Sequence, residues 1–317
     1  MPVIEPMLGV DLAGLHLSCP TVLLSGCVGF GEELLALEGF NFESVGAICL
    51  KGTTLHARHG NKPPRLAETP CGLLNAIGLQ NPGAGHVVER ILPRLVEQLR
   101  STSVQLIANI AGATVEEYRE VATLFDDSAV AAIEVNISCP NVEKGGAAFG
   151  ADASVAAEVT RVVRQVTTKP VIVKLSPNVT DIRTIARAVI EAGADALSVI
   201  NTLMGMAIDL PSRRPLLGNT QGGLSGPAIK PIALLKVWQV YQEARLHHVP
   251  IIGQGGIRTA EDALEFIVAG STAVGIGTAL FHNPWLPEEI NAGMLAFLQQ
   301  QQLAHLTELT GSLRTHD

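Results

Sequence analysis

Aromatic residues make up only 4 % of this 317-residue chain, so its core has to be filled by Val, Ile, Leu and Ala. Charge is scarce as well. Asp, Glu, Lys and Arg together reach 16 % against 47 % hydrophobic residues, which excludes a disordered or coiled-coil chain. Seven lysines are present, none of them clustered, and the formal net charge is −8. A nucleic-acid binder that neutralises phosphates carries the opposite balance. No uninterrupted apolar run approaches the ~18 residues of a membrane helix, so no membrane span is expected. The opening MPVIEPMLGVDL carries Glu5 and Asp11 and no basic segment, unlike a secretory leader. The five cysteines (Cys19, Cys27, Cys49, Cys71 and Cys139) lack C-x-x-C spacing. This pattern fits a reduced cytoplasm and argues against disulfides, zinc or an iron–sulfur cluster on this chain.

What is abundant is glycine, 31 residues, which implies tight turns or backbone that approaches a ligand closely. Short β-rich apolar runs alternate with helix-period segments along nearly the whole chain. Strands are expected over 21–25, 45–51, 104–109, 131–136, 171–175, 196–201, 250–254 and 273–277. Several are continuous apolar stretches, as parallel strands covered on both faces require. Helical patterns such as TVEEYREVATLF, ASVAAEVTRVVRQV and TDIRTIARAVIEAG lie between them; the last starts at Thr180 and Asp181 and ends in Gly193. Eight strands with interleaved helices give an α/β fold, a (β/α)8 TIM barrel, over a single domain spanning 1–317. VDLAGLHLS ahead of the first strand reads as a short N-terminal hairpin closing the barrel bottom. Loops after strands 2, 4 and 6 are enlarged, the first over roughly 52–85 and the last over 202–226.

Barrel active sites lie at the C-terminal ends of the strands. Those ends read Ser25, Lys51, Asn109, Asn136, Lys174 and Asn201, then Gly255-Gly256 and Gly277-Thr278. Lys51 and Lys174 sit in uncharged surroundings, and a partly buried ammonium needs an anionic or carbonyl partner. Glycine turns after the last two strands are where barrel phosphate sites form. After strand 4, Asn136-Ile137-Ser138-Cys139-Pro140-Asn141 leads into the glycine-rich EKGGAAFG, which makes Cys139 a loop thiol able to act as acid or base. Cys19, Cys49 and Cys71 read as buried, inert thiols, and Cys27 stays open between the two readings. His56 and His59 read as solvated rather than as metal ligands. Asn75-Ala76-Ile77-Gly78-Leu79-Gln80-Asn81 places amides around small apolar residues in an irregular loop, suited to a planar ligand with carbonyl and N–H groups.

Taken in order, GNKPPRLAETPCGLLNAIGLQNPG, NISCPNVEKGG, VKLSPNVTDI, INT, GGLSGPAIKPIAL and GQGGI closely resemble class 1B dihydroorotate dehydrogenase catalytic subunits over nearly the whole chain. The resemblance implies a cytoplasmic barrel that holds FMN and oxidises dihydroorotate to orotate in pyrimidine synthesis. It also implies a homodimer core within a heterotetramer, whose second chain carries FAD and a two-iron two-sulfur cluster and passes electrons to NAD. FMN is then expected at Ser25, Lys51, Gly52, Asn109, Asn136, Lys174, Ile200, Gly226, Gly255, Gly256, Gly277 and Thr278. Substrate is expected at Lys51, Asn75, Ala76, Ile77, Gly78, Leu79, Asn136, Asn201 and Thr202, with Cys139 as the catalytic base and no metal. One departure stands out: after Ser25-Gly26 the family commonly has Thr-Phe, where this chain has Cys27-Val28. A fumarate-using class 1A-like enzyme is the nearest alternative. A flavin barrel resembling tRNA-dihydrouridine synthases is a more distant one, at odds with the charge of −8. A non-enzymatic scaffold barrel has no reason to keep two inward lysines, a loop cysteine and a phosphate turn together.

Overall fold

The computed structural model describes residues 5–138 and 147–316. Eight parallel strands close into a barrel. They are β1 (Thr21–Leu23), β2 (Ala47–Cys49), β3 (Gln105–Ile110), β4 (Ala132–Asn136), β5 (Val171–Lys174), β6 (Ala196–Val199), β7 (Ile251–Gln254) and β8 (Ala273–Ile276). Consecutive strands are neighbours all round, and β8 returns to β1 through Val274 opposite Thr21 and Ile276 opposite Leu23. All eight expected strands are present, each trimmed by a few residues at most. Nearly every strand position is buried, because barrel side chains fill one face and helices cover the other. The core is aliphatic as composition requires; Tyr118, Phe125 and Phe266 are its fully buried aromatic rings.

The helices start where the sequence offers a side-chain acceptor. Thr114 caps Val115–Asp126 by accepting from the Glu117 N–H, and Asp152 caps Ala153–Arg164 by accepting from Ser154 and Val155. For Ile182–Glu191 the cap is Asp181 rather than Thr180, and Gly193 takes φ +104° just beyond the end. The N-terminal hairpin forms as expected, Val10–Leu12 against Leu15–Leu17. It sits at the foot of the barrel: a Cβ on Gly46, just before β2, would lie 3.1 Å from the Leu17 Cβ.

The enlarged loops after β2 and β6 are not irregular. They pair with one another in a four-stranded antiparallel sheet ordered Leu203–Gly205, Gly222–Ser225, Gly72–Asn75, Leu66–Thr69. Asn75, expected in irregular chain, therefore ends a strand opposite Gly223. Cys71, expected to be buried, is exposed, because it occupies the tight turn between the two strands of the 66–75 hairpin. Among the described residues no helix is long and apolar enough to cross a membrane.

Candidate functional site

Strand register brings the expected polar residues to one mouth of the barrel. Asn109 on β3 lies opposite Glu134 on β4, and Asn136 on β4 lies opposite Lys174 on β5, which in turn faces Ser198 on β6. Glu134 and Asn136 are two apart on one strand and so share a face. The Glu134 carboxylate, 1 % exposed, accepts three hydrogen bonds and faces one ammonium. Ser198 Oγ donates to Oε1 at 2.6 Å, and Cys49 Sγ (3.1 Å) and Asn109 Nδ2 donate to Oε2. The Lys174 ammonium, also buried, sits 3.9 Å from the same oxygen. The buried lysine thus has the anionic partner its surroundings demand. Burial, and then the facing Glu134 carboxylate, pushes the Cys49 thiol well above its ordinary range, so it stays a neutral donor. Cys19 is buried likewise, and burial raises its thiol too.

From Asn109 the contacts run outward. Asn136 Nδ2 donates to Asn109 Oδ1 at 3.3 Å, and Asn136 Oδ1 accepts from both the backbone N–H and the hydroxyl of Ser138. Asn201 Nδ2 donates to Ser138 Oγ at 2.9 Å, while its Oδ1 accepts from the Thr202 N–H at 2.7 Å. Thr202 packs on Gly223, where a Cβ would fall 2.0 Å from its hydroxyl, and the Gly223 carbonyl accepts from Asn75 Nδ2 at 3.2 Å. Contacts therefore run from Asn136 through Ser138 to Asn201 and Thr202, and through Gly223 to Asn75 in the sheet built by the two long loops. Ala76 and Gly78 are buried, Ile77 and Leu79 half-buried, and a Cβ on Gly52 would touch both Leu79 and Asn109 Oδ1.

The glycine turns converge beside this row. Thr278 Oγ1 donates to Ser225 Oγ at 2.7 Å, and a Cβ on Gly256 would lie 2.9 Å from the Gly226 carbonyl. Gly226, Gly255 and Gly256 all have positive φ, between 84° and 133°, which favours glycine on backbone grounds alone. Among the described residues the N–H groups of Gly226, Gly255, Gly256 and Gly277 donate to no backbone carbonyl. Donors gathered in this way form an anion-binding concavity. Ile200, joined to Val199 by a cis peptide, gives its carbonyl to Gln254 Nε2 at 2.9 Å. Gln254 Oε1 is buried with no hydrogen-bond partner among the described residues.

Ser25 is buried at the end of β1, its backbone N–H toward the Cys49 sulfur. Lys51, half-buried, is tied through its N–H to the Gly29 carbonyl at 2.7 Å. Cys27 lies in the field of both lysines, yet burial outweighs them and its thiol is pushed up to about 11. Cys139 and Asn141 lie outside the described residues. His56 and His59 are exposed, and the described residues contain no cluster of His, Cys, Asp and Glu able to hold a metal.

Three participants escape a reading of strand ends. Glu134 is two residues short of its end, though a lone charge in AAIEVN is as anomalous as either lysine. Ser138 precedes the cysteine that draws the eye. Ser225 belongs to a loop strand with no periodicity of its own.

The sequence profile of the family described as dihydroorotate dehydrogenase matches residues 7–298. Three similar proteins bear the name dihydroorotate dehydrogenase B (NAD(+)), catalytic subunit. That of Desulforamulus reducens is 53 % identical over 306 residues, covering 96 % of this chain and 98 % of its own. That of Geobacillus kaustophilus is 53 % identical over 305 residues, covering 96 % and 95 %. That of Geotalea uraniireducens is 50 % identical over 312 residues, covering 98 % and 99 %.

Proposed function

The chain belongs to the dihydroorotate dehydrogenase family, and from that premise we propose that it is a catalytic subunit oxidising dihydroorotate to orotate, with NAD as the final acceptor. In this reading all 317 residues act as one FMN-binding domain in the cytoplasm. They pair as a homodimer with electron-transfer chains carrying FAD and a two-iron two-sulfur cluster. The observation that carries it is the meeting, at one barrel mouth, of the glycine cradle with a row of oriented amides ending at Asn201 and Thr202.

The residues present suit FMN. Its phosphate fits the free N–H groups around Gly226, Gly255, Gly256 and Gly277, with Thr278 alongside. Asn109, Asn136 and Lys174, with Ser25, Lys51, Gly52 and Ile200 around them, supply polar contacts for the ring system, and Lys174 offsets negative charge there. When bound, FMN would supply an acceptor for the hydride that leaves one substrate carbon. Cys139 takes the proton from the neighbouring carbon. Lys51, Asn136, Asn201, Thr202 and the 75–79 segment hold the substrate, their carboxamides pairing with ring carbonyl and N–H groups and excluding water.

The purified chain should carry one FMN, visible by absorbance, which dihydroorotate bleaches in the absence of air. NAD reduction should require addition of the iron–sulfur flavoprotein. A chain that neither carries nor takes up FMN refutes the reading, and one that turns over with fumarate alone points to the class 1A-like alternative. Asn201→Ala should weaken orotate binding by about 1–3 kcal/mol, the cost of a buried polar group left unpaired, with flavin content unchanged. Spectral titration with orotate measures it; loss of flavin instead would move Asn201 to the cofactor.

A further inference from the structure

We propose that Glu134 is a positioning residue: as a fixed acceptor at the barrel's centre it sets the direction of a hydrogen-bond chain that reaches the substrate residues through Ser138. This rests on the assignment of Asn201 to substrate. An amide can be turned either way, but one next to a carboxylate cannot. Asn109 must give its Nδ2 to Glu134 Oε2, which leaves its Oδ1 toward Asn136. Asn136 must then donate Nδ2 to that oxygen and turn its own Oδ1 toward Ser138. The Ser138 hydroxyl spends its proton on Asn136, so its lone pair is what meets Asn201 at 2.9 Å. Asn201 presents Nδ2 to that hydroxyl and, at 3.3 Å, to the Ser138 carbonyl, and Oδ1 to the Thr202 N–H, so the hydroxyl is the stronger of the two acceptors that place it. Every member as far as Ser138 is buried, so water is poorly placed to substitute for any link.

The carboxylate is itself held on both oxygens, by Ser198 on one side and by Asn109, Cys49 and Lys174 on the other. It cannot rotate without breaking one of these contacts. Glu134 thus governs two groups at once, the Lys174 ammonium directly and the Asn201 amide through three intermediates. A glutamine in its place carries a donor of its own, so Asn109 loses the reason to face one way; turned round, it sets a donor against the Asn136 Nδ2, which the Ser138 N–H holds from the other end, and the links that place Ser138 and Asn201 loosen.

The test is a double-mutant cycle on the FMN-loaded chain, read as the dissociation constant of orotate by flavin spectral shift. Ser138→Ala cuts the chain halfway and should weaken orotate by roughly 5–150-fold, the equivalent of one unpaired buried group, leaving FMN content unchanged. Glu134→Gln should weaken orotate comparably and also alter FMN affinity of the deflavinated chain, through Lys174. Together the two substitutions should cost little more orotate affinity than either alone, because both disable the same chain. Ser138→Thr, which restores the hydroxyl, should bind orotate more tightly than the isosteric Ser138→Val. Full additivity in the cycle, unchanged orotate affinity in Glu134→Gln, or equal affinity for the Thr and Val variants overturns the inference. The Thr and Val comparison decides it should Glu134→Gln fail to fold. An unmodified chain that binds FMN but not orotate would overturn the substrate assignment first, and this inference with it.

Discussion

Replacing Cys139 with Ala is expected to leave FMN bound and the fold intact while bleaching of the flavin by dihydroorotate slows by about 10²–10⁴-fold, the range a positioned base contributes. The proton to be removed is only modestly acidic, so a base must be held at a fixed place. Position 139 follows directly on Ser138, which is fully buried and bonded to Asn136 and Asn201, so the chain enters the loop from an anchored point. Among the described residues Cys27 is the thiol that feels both lysines, but at about 11 it stays protonated where the reaction would run. Its desolvation defeats the two ammonium groups that would ionise it. Cys27→Ala should accordingly bleach within a few-fold of the parent rate, and Cys139→Ser should retain weak activity shifted to higher pH, because a hydroxyl is harder to ionise than a thiol. Anaerobic stopped flow across about pH 6–10, bracketing a thiol's titration, separates the two cysteines. A Cys139→Ala chain that bleaches near the parent rate, with Cys27→Ala impaired, would transfer the role to Cys27.

The barrel was legible because its signal is local: each strand is a mostly buried apolar run, and several of the helices between them start at a side-chain cap such as Thr114 or Asp181. Spacing between runs located the long loops as well. What it could not reveal was that the two loops pair with one another, since Gly72–Asn75 and Gly222–Ser225 are four residues each and the pairing that joins the loops spans about 150 residues of chain. Cys71 is misread for a different reason: it reads as a buried, inert thiol, and the local hairpin turn between Thr69 and Gly72 puts it in solvent. In the site, the strand-end rule found Lys51, Asn109, Asn136, Lys174 and Asn201, because a polar residue at a barrel mouth stands next to an apolar run. It passed over Glu134, which lies one layer deeper. Asking where the Lys174 charge finds its partner would have led to Glu134, the only carboxylate within the eight strands. The glycines mislead in a subtler way: Gly255 and Gly256 are required by positive φ and by contact with Ala233 and Lys230, so their presence alone does not demand a phosphate. Their unbonded N–H groups are the stronger sign.

The pairing of Lys174 with Glu134 leads to the second large effect. Lys174→Met should destabilise the flavin-free chain by about 3 kcal/mol, the lower end of what breaking a buried pair costs, because Ser198 and Asn109 still donate to the stranded carboxylate. In the flavin-loaded chain the same substitution should slow bleaching by roughly 10²–10³-fold, since one preorganised source of positive charge is lost where negative charge develops. The two consequences have different origins and can be separated. Adding Glu134→Gln removes the stranded charge, so the double variant should recover most of the stability measured by denaturant titration. It should recover none of the rate, because glutamine supplies no cation beside the flavin. Recovery of both would mean that Lys174 serves only to neutralise Glu134. Recovery of neither would mean that the buried packing, and not the charge, is what these two side chains provide.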